Sequence, residues 1–380
     1  MFARTILYLL LAACCAAAAE LDRVEKLLEE LSNAFGPPGY EGDVRKIMRR
    51  ELGPLSSAME TDGMGSLIAT AKKSGDAPRV MMAAHMDELG MMVKYITPEG
   101  YVKFQTLGGW LDAGLIGQRW VIQTRTGPLL GVSGLKTPHV MHIAERTQLI
   151  PRERIFIDVG ATSKRDAEER LGIRPGDPIG PDSKFAVMNG SKMYVGKGWD
   201  DRVGCAVMVE VMRRLKQQPA PASVHAVATT QEEIGLRGAR TSSYMVKPDI
   251  GISIEAGVAA DYPGIAPEEA QERLGRGAGL FLHDNSMIPT LSLRNFFIEV
   301  AKGKSIPLQF DVLSGYGEDG SEMQKSFGGI PSVNITVPVR YLHNHNGIIH
   351  RKDFDAAVDL IVAVIQRLDA ATVGRLKRFD

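Results

Sequence analysis

The 380-residue sequence predicts an α/β protein, a sheet with helices on both faces, interrupted by a small and mostly β segment. Three observations point to this class. Apolar strands alternate with helical patterns from Asp200 onward; the stretch from about Gly90 to Asp182 switches to short alternating runs cut by Gly and Pro; and Arg79-Val-Met-Met-Ala-Ala84 is apolar at every position after the first. With 44% apolar residues the chain can bury a large core, and its length suits about two domains. Lys plus Arg equal Asp plus Glu at 45 each, and no basic run carries interleaved aromatics, which argues against a nucleic-acid partner.

Residues 1–19 read as a leader. Met1-Phe-Ala-Arg4 precedes an apolar run from Ile6 to Ala19, too short for a comfortable membrane span but suited to the hydrophobic region of an export signal. Two processing routes are open: cleavage after the small residues near Ala19, or lipidation of Cys14 in the lipoprotein-like Leu11-Ala-Ala-Cys14. Both place the mature protein outside the cytoplasm, as a periplasmic, lipid-anchored or extracellular form. Cys205 is the cysteine that stays in the folded region on either route, so no intrachain disulfide framework is expected there, and its apolar surroundings mark it as a packing residue.

Helical spacing covers Leu21 to Leu31, Gly36-Pro-Pro-Gly39 breaks it, and a second helix is expected from about Gly42 to Leu52. Arg79 to Ala84 then reads as a central strand of a covered sheet. Runs such as Tyr101-Val-Lys-Phe and Trp120-Val-Ile-Gln make 90–182 an inserted β domain that divides the α/β part into 20–89 and 183–380. Beyond it, helices are expected at Val203–Leu215, Gly238–Met245, Ser292–Ala301 and Phe354–Leu368. Strands are expected at Val224–Ala228, Ile250–Ile254 and Ser332–Val337. Internal repeats are lacking, and low complexity is confined to the N-terminal alanines.

Chemistry-bearing residues collect at the expected strand ends, where open α/β sheets form their crevices. His85 follows the strand after Arg79, Glu232 and Glu233 follow the strand after Val224, Glu255 follows Ile250-Gly-Ile-Ser-Ile, and His343 follows Val333-Asn-Ile-Thr-Val-Pro. Asp200 opens a helix. A metal-ligating imidazole needs a partner that fixes its tautomer, and Asp87, two residues on along an extended segment, can supply one. Asp200-Asp201 could be a helix cap, but two adjacent acids before the small Gly204 fit one carboxylate bridging two cations and the next steering the backbone. Consecutive carboxylates leaving an apolar strand repel each other unless cations or a shared proton compensate. Glu233 is therefore assigned to a metal, and Glu232, left unligated, to taking a proton from the attacking water and passing it to the leaving amine. Arg340-Tyr-Leu-His-Asn-His345 offers two histidines; His343 is favoured, with His345 the alternative.

Two histidines with three or more carboxylates and no thiolate suit a pair of divalent ions, zinc or cobalt first, and argue against a structural zinc cluster. Such a pair can share a water, lower its pKa and polarise a carbonyl, which is the chemistry of amide hydrolysis. There is no Gly-x-Ser-x-Gly elbow to offer a competing nucleophile.

Together, His85-Met-Asp-Glu-Leu-Gly90, Lys136-Thr-Pro-His139, Ile157-Asp-Val-Gly160, Asp200-Asp-Arg-Val-Gly204, Gln231-Glu-Glu-Ile-Gly235 and Arg340-Tyr-Leu-His343 resemble the tetrahedral, self-compartmentalising metallo-aminopeptidase family, which includes glutamyl aminopeptidases and members labelled endoglucanases. The resemblance spans essentially the whole mature chain from Gly36. It implies a zinc-exopeptidase-like mixed sheet interrupted by a PDZ-like dimerisation domain. It also implies a co-catalytic metal pair on His85, Asp200, Glu233, Glu255 and His343, with Glu232 as general base and short peptides as substrates. A dimer-based, twelve-subunit hollow particle is the implied assembly. Three positions depart from the family pattern: Glu255 where aspartate is frequent, the second histidine at His345, and Glu318-Asp-Gly320 where Thr-Asp-Ala is common. The competing readings are a di-metal carboxypeptidase or deacylase on the same kind of sheet and a non-catalytic peptide-binding homologue. A glycosidase would need paired carboxylates alone and leaves the histidines unexplained.

Overall fold

The computed structural model describes residues 20–73 and 75–379. The leader, with Cys14, lies outside the described residues. Two helices open the described chain, α1 (Arg23–Asn33) and α2 (Gly42–Leu52). Asp22 caps α1 by accepting the Glu25 N–H at 2.8 Å, and the Glu25 carboxylate accepts the Asp22 N–H in return at 2.9 Å, which satisfies donors a helix start leaves open.

Strands β1 (Ala58–Thr61), β2 (Leu67–Ala71) and β3 (Arg79–His85) follow. Six more, β4 (Gly90–Ile96), β5 (Val102–Leu107), β6 (Arg119–Thr124), β7 (Gly127–Gly134), β8 (Phe156–Asp158) and β9 (Pro178–Pro181), close into a barrel in the order β4-β5-β8-β7-β6-β9, with helix α3 (Lys164–Glu169) in the last connection. The barrel has its own apolar core, built around Met91, Val102, Trp120, Ile157 and Ile179.

The remaining chain runs β10 (Ala186–Val187), β11 (Met193–Gly196), α4 (Trp199–Gln217), β12 (Ser223–Thr229), α5 (Arg237–Val246), β13 (Ile250–Val258), β14 (Ala278–His283), α6 (Leu291–Lys304), β15 (Leu308–Val312), α7 (Asp319–Lys325), β16 (Ser332–Val339), β17 (Gly347–His350), α8 (Arg351–Ile365) and α9 (Ala370–Leu376). Eight strands make one mixed sheet in the order β1-β2-β12-β3-β13-β16-β14-β15, in which β12, β3, β13 and β16 are mutually parallel and form the centre. A three-stranded sheet, β10-β11-β17, stands apart from it.

Both faces of the large sheet are covered, and β3 shows why its sequence lacks alternation. Val80, Met82 and Ala84 point into the main core, packed with residues of α1, α4 and α8. Met81 and Ala83 point to the opposite face, into a smaller cluster with Ile68, Val227, Val246 of α5 and Met323 of α7. A strand buried on both faces selects apolar side chains at successive positions. Cys205 of α4 is buried in the main core with no disulfide. Among the described residues no helix is long and apolar enough to cross a membrane.

Three elements differ from the sequence expectation in ways that matter for the site. Strand β13 runs past Ile254 to Val258, so Glu255 lies inside the strand rather than after it. Helix α4 begins at Trp199 but carries non-helical backbone at Asp200 and Asp201, so these two acids sit in a kink, with their side chains at the C-terminal end of β3. The edge pair β14 and β15 has no counterpart in the expected strands.

Candidate metal centre

The parallel strands end on one side of the sheet, and there β3, β13 and the loops after β12 and β16 bring the candidate residues together. His85 ends β3, Glu255 projects from within β13, Glu232 and Glu233 lie in the turn after β12, and His343 lies in the turn after β16. Asp200, in the kink at the start of α4, faces all of them.

Asp200 is the hub. His85 Nε2 lies 2.9 Å from its Oδ1, and His343 Nε2 lies 3.1 Å from its Oδ2. Glu255 Oε2 and Glu232 Oε2 are each 3.8 Å from His85 Nε2, and Glu233 Oε2 is 3.9 Å from His343 Nε2. Two groups of possible ligand atoms result, His85–Asp200–Glu255 and Asp200–Glu233–His343, each with its atoms within 4.8 Å of one another. Asp200 belongs to both. His85 and Glu255 are 1% exposed, whereas the His343 side chain keeps 35% exposure, so the second group stands nearer the mouth of the cleft.

The imidazole tautomers follow from their other nitrogens. His85 Nδ1 lies 3.0 Å from the main-chain carbonyl of Asp87, and His343 Nδ1 lies 3.0 Å from that of Gly109. A carbonyl can only accept, so each Nδ1 carries the hydrogen and each Nε2 meets Asp200 either as a lone pair or as a second N–H. A lone pair facing a carboxylate oxygen at 2.9–3.1 Å is repulsive unless positive charge lies between them.

In the protein alone that charge is a proton. Burial disfavours a charged imidazole, but the carboxylates of Glu232, Glu255 and Asp200 outweigh it and hold the His85 pKa well above the usual histidine range. The same contest at His343, between burial and the carboxylates of Glu233 and Asp200, pushes it up to about 9. Burial would raise Asp200, yet the two imidazoles hold it below the ordinary aspartate value. At Glu232, Glu233 and Glu255 burial comes first and the imidazoles, which pull the other way, do not offset it. Burial and neighbouring carboxylates raise all three, Glu233 to about 8.

The residues fit a pair of divalent cations. Oxygen Oε1 of Glu233 and of Glu255 is buried without a hydrogen-bond partner among the described residues. The donor set is nitrogen and oxygen, without a thiolate: the Cys205 thiol points to the carbonyls of Ala84 and His85, and burial pushes its pKa above the usual thiol value. The cleft is lined by Asp200, Glu232, Glu233, Glu255 and His343 together with Leu236 and Tyr316, with no lysine or arginine in its lining.

Asp87 does something different from what the sequence suggested. Its carbonyl, not its carboxylate, fixes the His85 tautomer; the carboxylate oxygen stands 3.6 Å from Nδ1. The carboxylate instead accepts the main-chain N–H groups of Glu232 and Glu233, each at 3.1 Å. Asp87 thus joins the loop of one metal group to the loop of the other. Asp201 accepts the main-chain N–H groups of His85 and Gly204, so it steers backbone.

His345 is two residues from His343 and elsewhere in space. Its Nε2 faces the Arg119 carbonyl at 3.1 Å, its ring packs edge-on against Trp120 at 4.3 Å, and burial lowers its pKa to about 4. Left-handed backbone at Tyr341 and His343 sends the two rings apart. Gly109 was not singled out in the sequence, although the Gly108-Gly109 pair was a signal. Gly108 has φ of +89°, and a Cβ there would lie 2.2 Å from Leu89, while a Cβ on Gly109 would crowd the His343 ring at 3.2 Å. His225 contacts Thr70, His283 contacts the Leu313 carbonyl, and His350 caps α8, while His139 and His142 lie on the barrel's outer loop.

Comparison with known proteins places the chain among aminopeptidases. A family model described as M42 glutamyl aminopeptidase matches residues 65–360. The putative aminopeptidase FrvX of Escherichia coli K12 is 35% identical over 355 residues, covering 93% of this chain and 98% of that protein. Among solved structures, a TET aminopeptidase from the marine sediment archaeon Thaumarchaeota archaeon SCGC AB-539-E09 superposes with a TM-score of 0.90 at 42% identity, over 93% of this chain and 99% of that one. The Pyrococcus horikoshii TET1 peptidase, which can assemble into a tetrahedron or a large octahedral shell, superposes with a TM-score of 0.82 at 29% identity, over 91% and 100% of the two chains.

Proposed function

The chain belongs to the M42 glutamyl aminopeptidase family, and from that membership we propose that it removes N-terminal residues from short peptides with two divalent ions on His85, Asp200, Glu233, Glu255 and His343. It is a hydrolase and a metallo-aminopeptidase. Glu232 is the general base in this reading, and zinc or cobalt is the metal. The observation that carries the reading is the single carboxylate of Asp200, one oxygen toward each imidazole, with a further glutamate beside each histidine that has one oxygen without a partner among the described residues.

When bound, the metal pair supplies Lewis acidity to the scissile carbonyl and to the attacking water. The protein's own residues set the rest. Glu232 is buried at the cleft wall, and its raised pKa suits a group that accepts a proton from water near neutral pH and returns it to the leaving amine. Its main-chain N–H is held by Asp87, so the carboxylate is presented from a fixed backbone. His85 and His343 keep their protons at Nδ1 on main-chain carbonyls and offer Nε2 inward.

Homo-oligomeric assembly, dimer-based and dodecameric, is part of the proposal. Support comes from the shell-forming relative and from the apolar residues Leu130, Val132, Val140, Ile143 and Leu149, which the barrel and its outer loop leave exposed. In this reading the barrel of 90–182 is a PDZ-like dimerisation domain set between catalytic parts 20–89 and 183–380. The 1–19 leader, through cleavage or lipidation at Cys14, would export the protein. Intact-mass analysis of the mature chain separates the two routes.

Hydrolysis of a panel of aminoacyl-p-nitroanilides by metal-stripped protein, before and after restoration with zinc or cobalt, tests the activity. Release that depends on metal is expected. Absence of release from fully metallated protein, with turnover of acylated amino acids instead, would move the assignment to a deacylase.

A further inference from the structure

The turn that carries Glu232 and Glu233 is strained and yet lies where precision is needed. Gln231 and Leu236 adopt left-handed backbone, with φ of +55° and +54°, and Gly235 has φ of +126°. Non-glycine residues hold such angles when their surroundings enforce them. Three consecutive N–H groups enter this turn, and each donates to a carboxylate. Glu232 and Glu233 donate to the two oxygens of Asp87. Gln231 donates to Oε1 of Glu41 at 3.2 Å.

Glu41 reaches the turn from a segment 190 residues away in the chain. It is 2% exposed, its Oε1 also accepts the Gly39 N–H at 2.6 Å, and Arg45 approaches its Oε2 at 3.5 Å. The same segment braces the other metal loop. The carbonyl of Gly36 accepts the Glu88 N–H at 3.0 Å and the Arg202 guanidinium at 3.3 Å, and Arg202 also holds the Met86 carbonyl at 2.6 Å. Pro37 lies so close to Gly90 that a Cβ there would stand 2.6 Å from it.

We propose that Glu41 is a positioning residue for the reaction: the loop after α1 clamps both metal loops, and Glu41, through the Gln231 N–H, fixes the backbone that aims the Glu232 carboxylate. This rests on the assignment of Glu232 as general base. Glu41 does not touch the reacting atoms. The bond is directional and half-buried, and the residue it holds immediately precedes Glu232, so its loss should appear in the orientation of the base more than in the binding of substrate or metal.

The test uses full-length, metal-reloaded protein carrying Glu41→Ala, Glu41→Met or Glu41→Gln, with Glu232→Gln as a control. Met keeps the length of the side chain without an acceptor, and Gln keeps the Oε1 acceptor. Ala and Met are expected to lower kcat by about 10- to 100-fold with KM and metal affinity changed by less than about threefold, and Gln to recover most of the rate. Hydrogen exchange at the Gln231 amide in metal-free protein gives a readout independent of activity, with protection lost in Ala and Met and kept in Gln. An unchanged kcat in Ala or Met, an equal loss in all three variants, or failure of Ala and Met to fold would overturn the positioning role. Persistence of activity in Glu232→Gln would instead defeat the base assignment, while the exchange experiment would still judge the Glu41 contact.

Discussion

Glu272 gives a prediction whose size follows from the structure. Its side chain is completely buried against β13, which carries Glu255, and β14, wedged so closely that a Cβ on Gly257 or Gly279 would lie within 1.9 Å of its carboxyl oxygens. Oε1 accepts the Thr336 hydroxyl at 2.5 Å, Oε2 has no partner among the described residues, and burial, with Asp311 and Asp353 nearby, pushes the carboxyl up to about 8. The folded protein therefore keeps a proton that the unfolded chain releases at an ordinary glutamate pKa. Stability from this group is complete below the unfolded pKa and is lost as pH rises toward the folded one, at up to about 1.4 kcal/mol per pH unit. Between about pH 5 and pH 8 the loss comes to about 3–4 kcal/mol. In Glu272→Gln that dependence should vanish, leaving a constant offset from the amide. Urea unfolding of metal-free wild type and variant across this range measures it. Two stability curves that run parallel from pH 5 to 8 would mean instead that Glu272 ionises alike in the folded and unfolded states.

Other predictions address the centre itself. His343→Ala should weaken one of the two bound ions by about 100-fold or more, since changes to groups merely behind a ligand already cost about 10- to 100-fold; His345→Gln should leave both in place, and calorimetric titration with zinc separates the two. Asp87→Asn can accept only one of the two N–H groups that Asp87 holds, so kcat should fall roughly tenfold as a charge-assisted bond is lost, and an unchanged rate would show that the loop is held by other means.

Much of the centre was legible in the sequence because strand ends and adjacent acids are local signals. Val80 to Ala84 is apolar throughout since it is buried on both faces, so His85 at its end stands out. Glu232-Glu233 stands out for the opposite reason, as two like charges where a strand should release into solvent. The remainder depended on contacts across the chain. The extension of β13 to Val258, which puts Glu255 inside a strand, rests on the pairing of Glu255 through Val258 with Thr336 through Val339 of β16, which composition does not announce. His343 and His345 could be separated only by the left-handed backbone between the strands. Strand β14, next to the edge strand β15, begins between Gly277 and Gly279, residues that read as turn. The carboxylate of Asp87 looked like an imidazole partner because both lie on one short segment, whereas its true partners come from the turn after β12. Nothing local links Glu41 to Gln231.

The central claim, two ions held by five side chains with Glu232 free to move a proton, meets its most direct test in a single sample of Glu232→Gln assayed for both metal content and peptide turnover. Two ions per subunit are expected, as in the parent protein, with turnover of a short peptide lost by about 100-fold or more, the scale of general-base catalysis. Full turnover with both ions bound would contradict the assignment of Glu232, and loss of an ion would show that Glu232 belongs among the ligands instead.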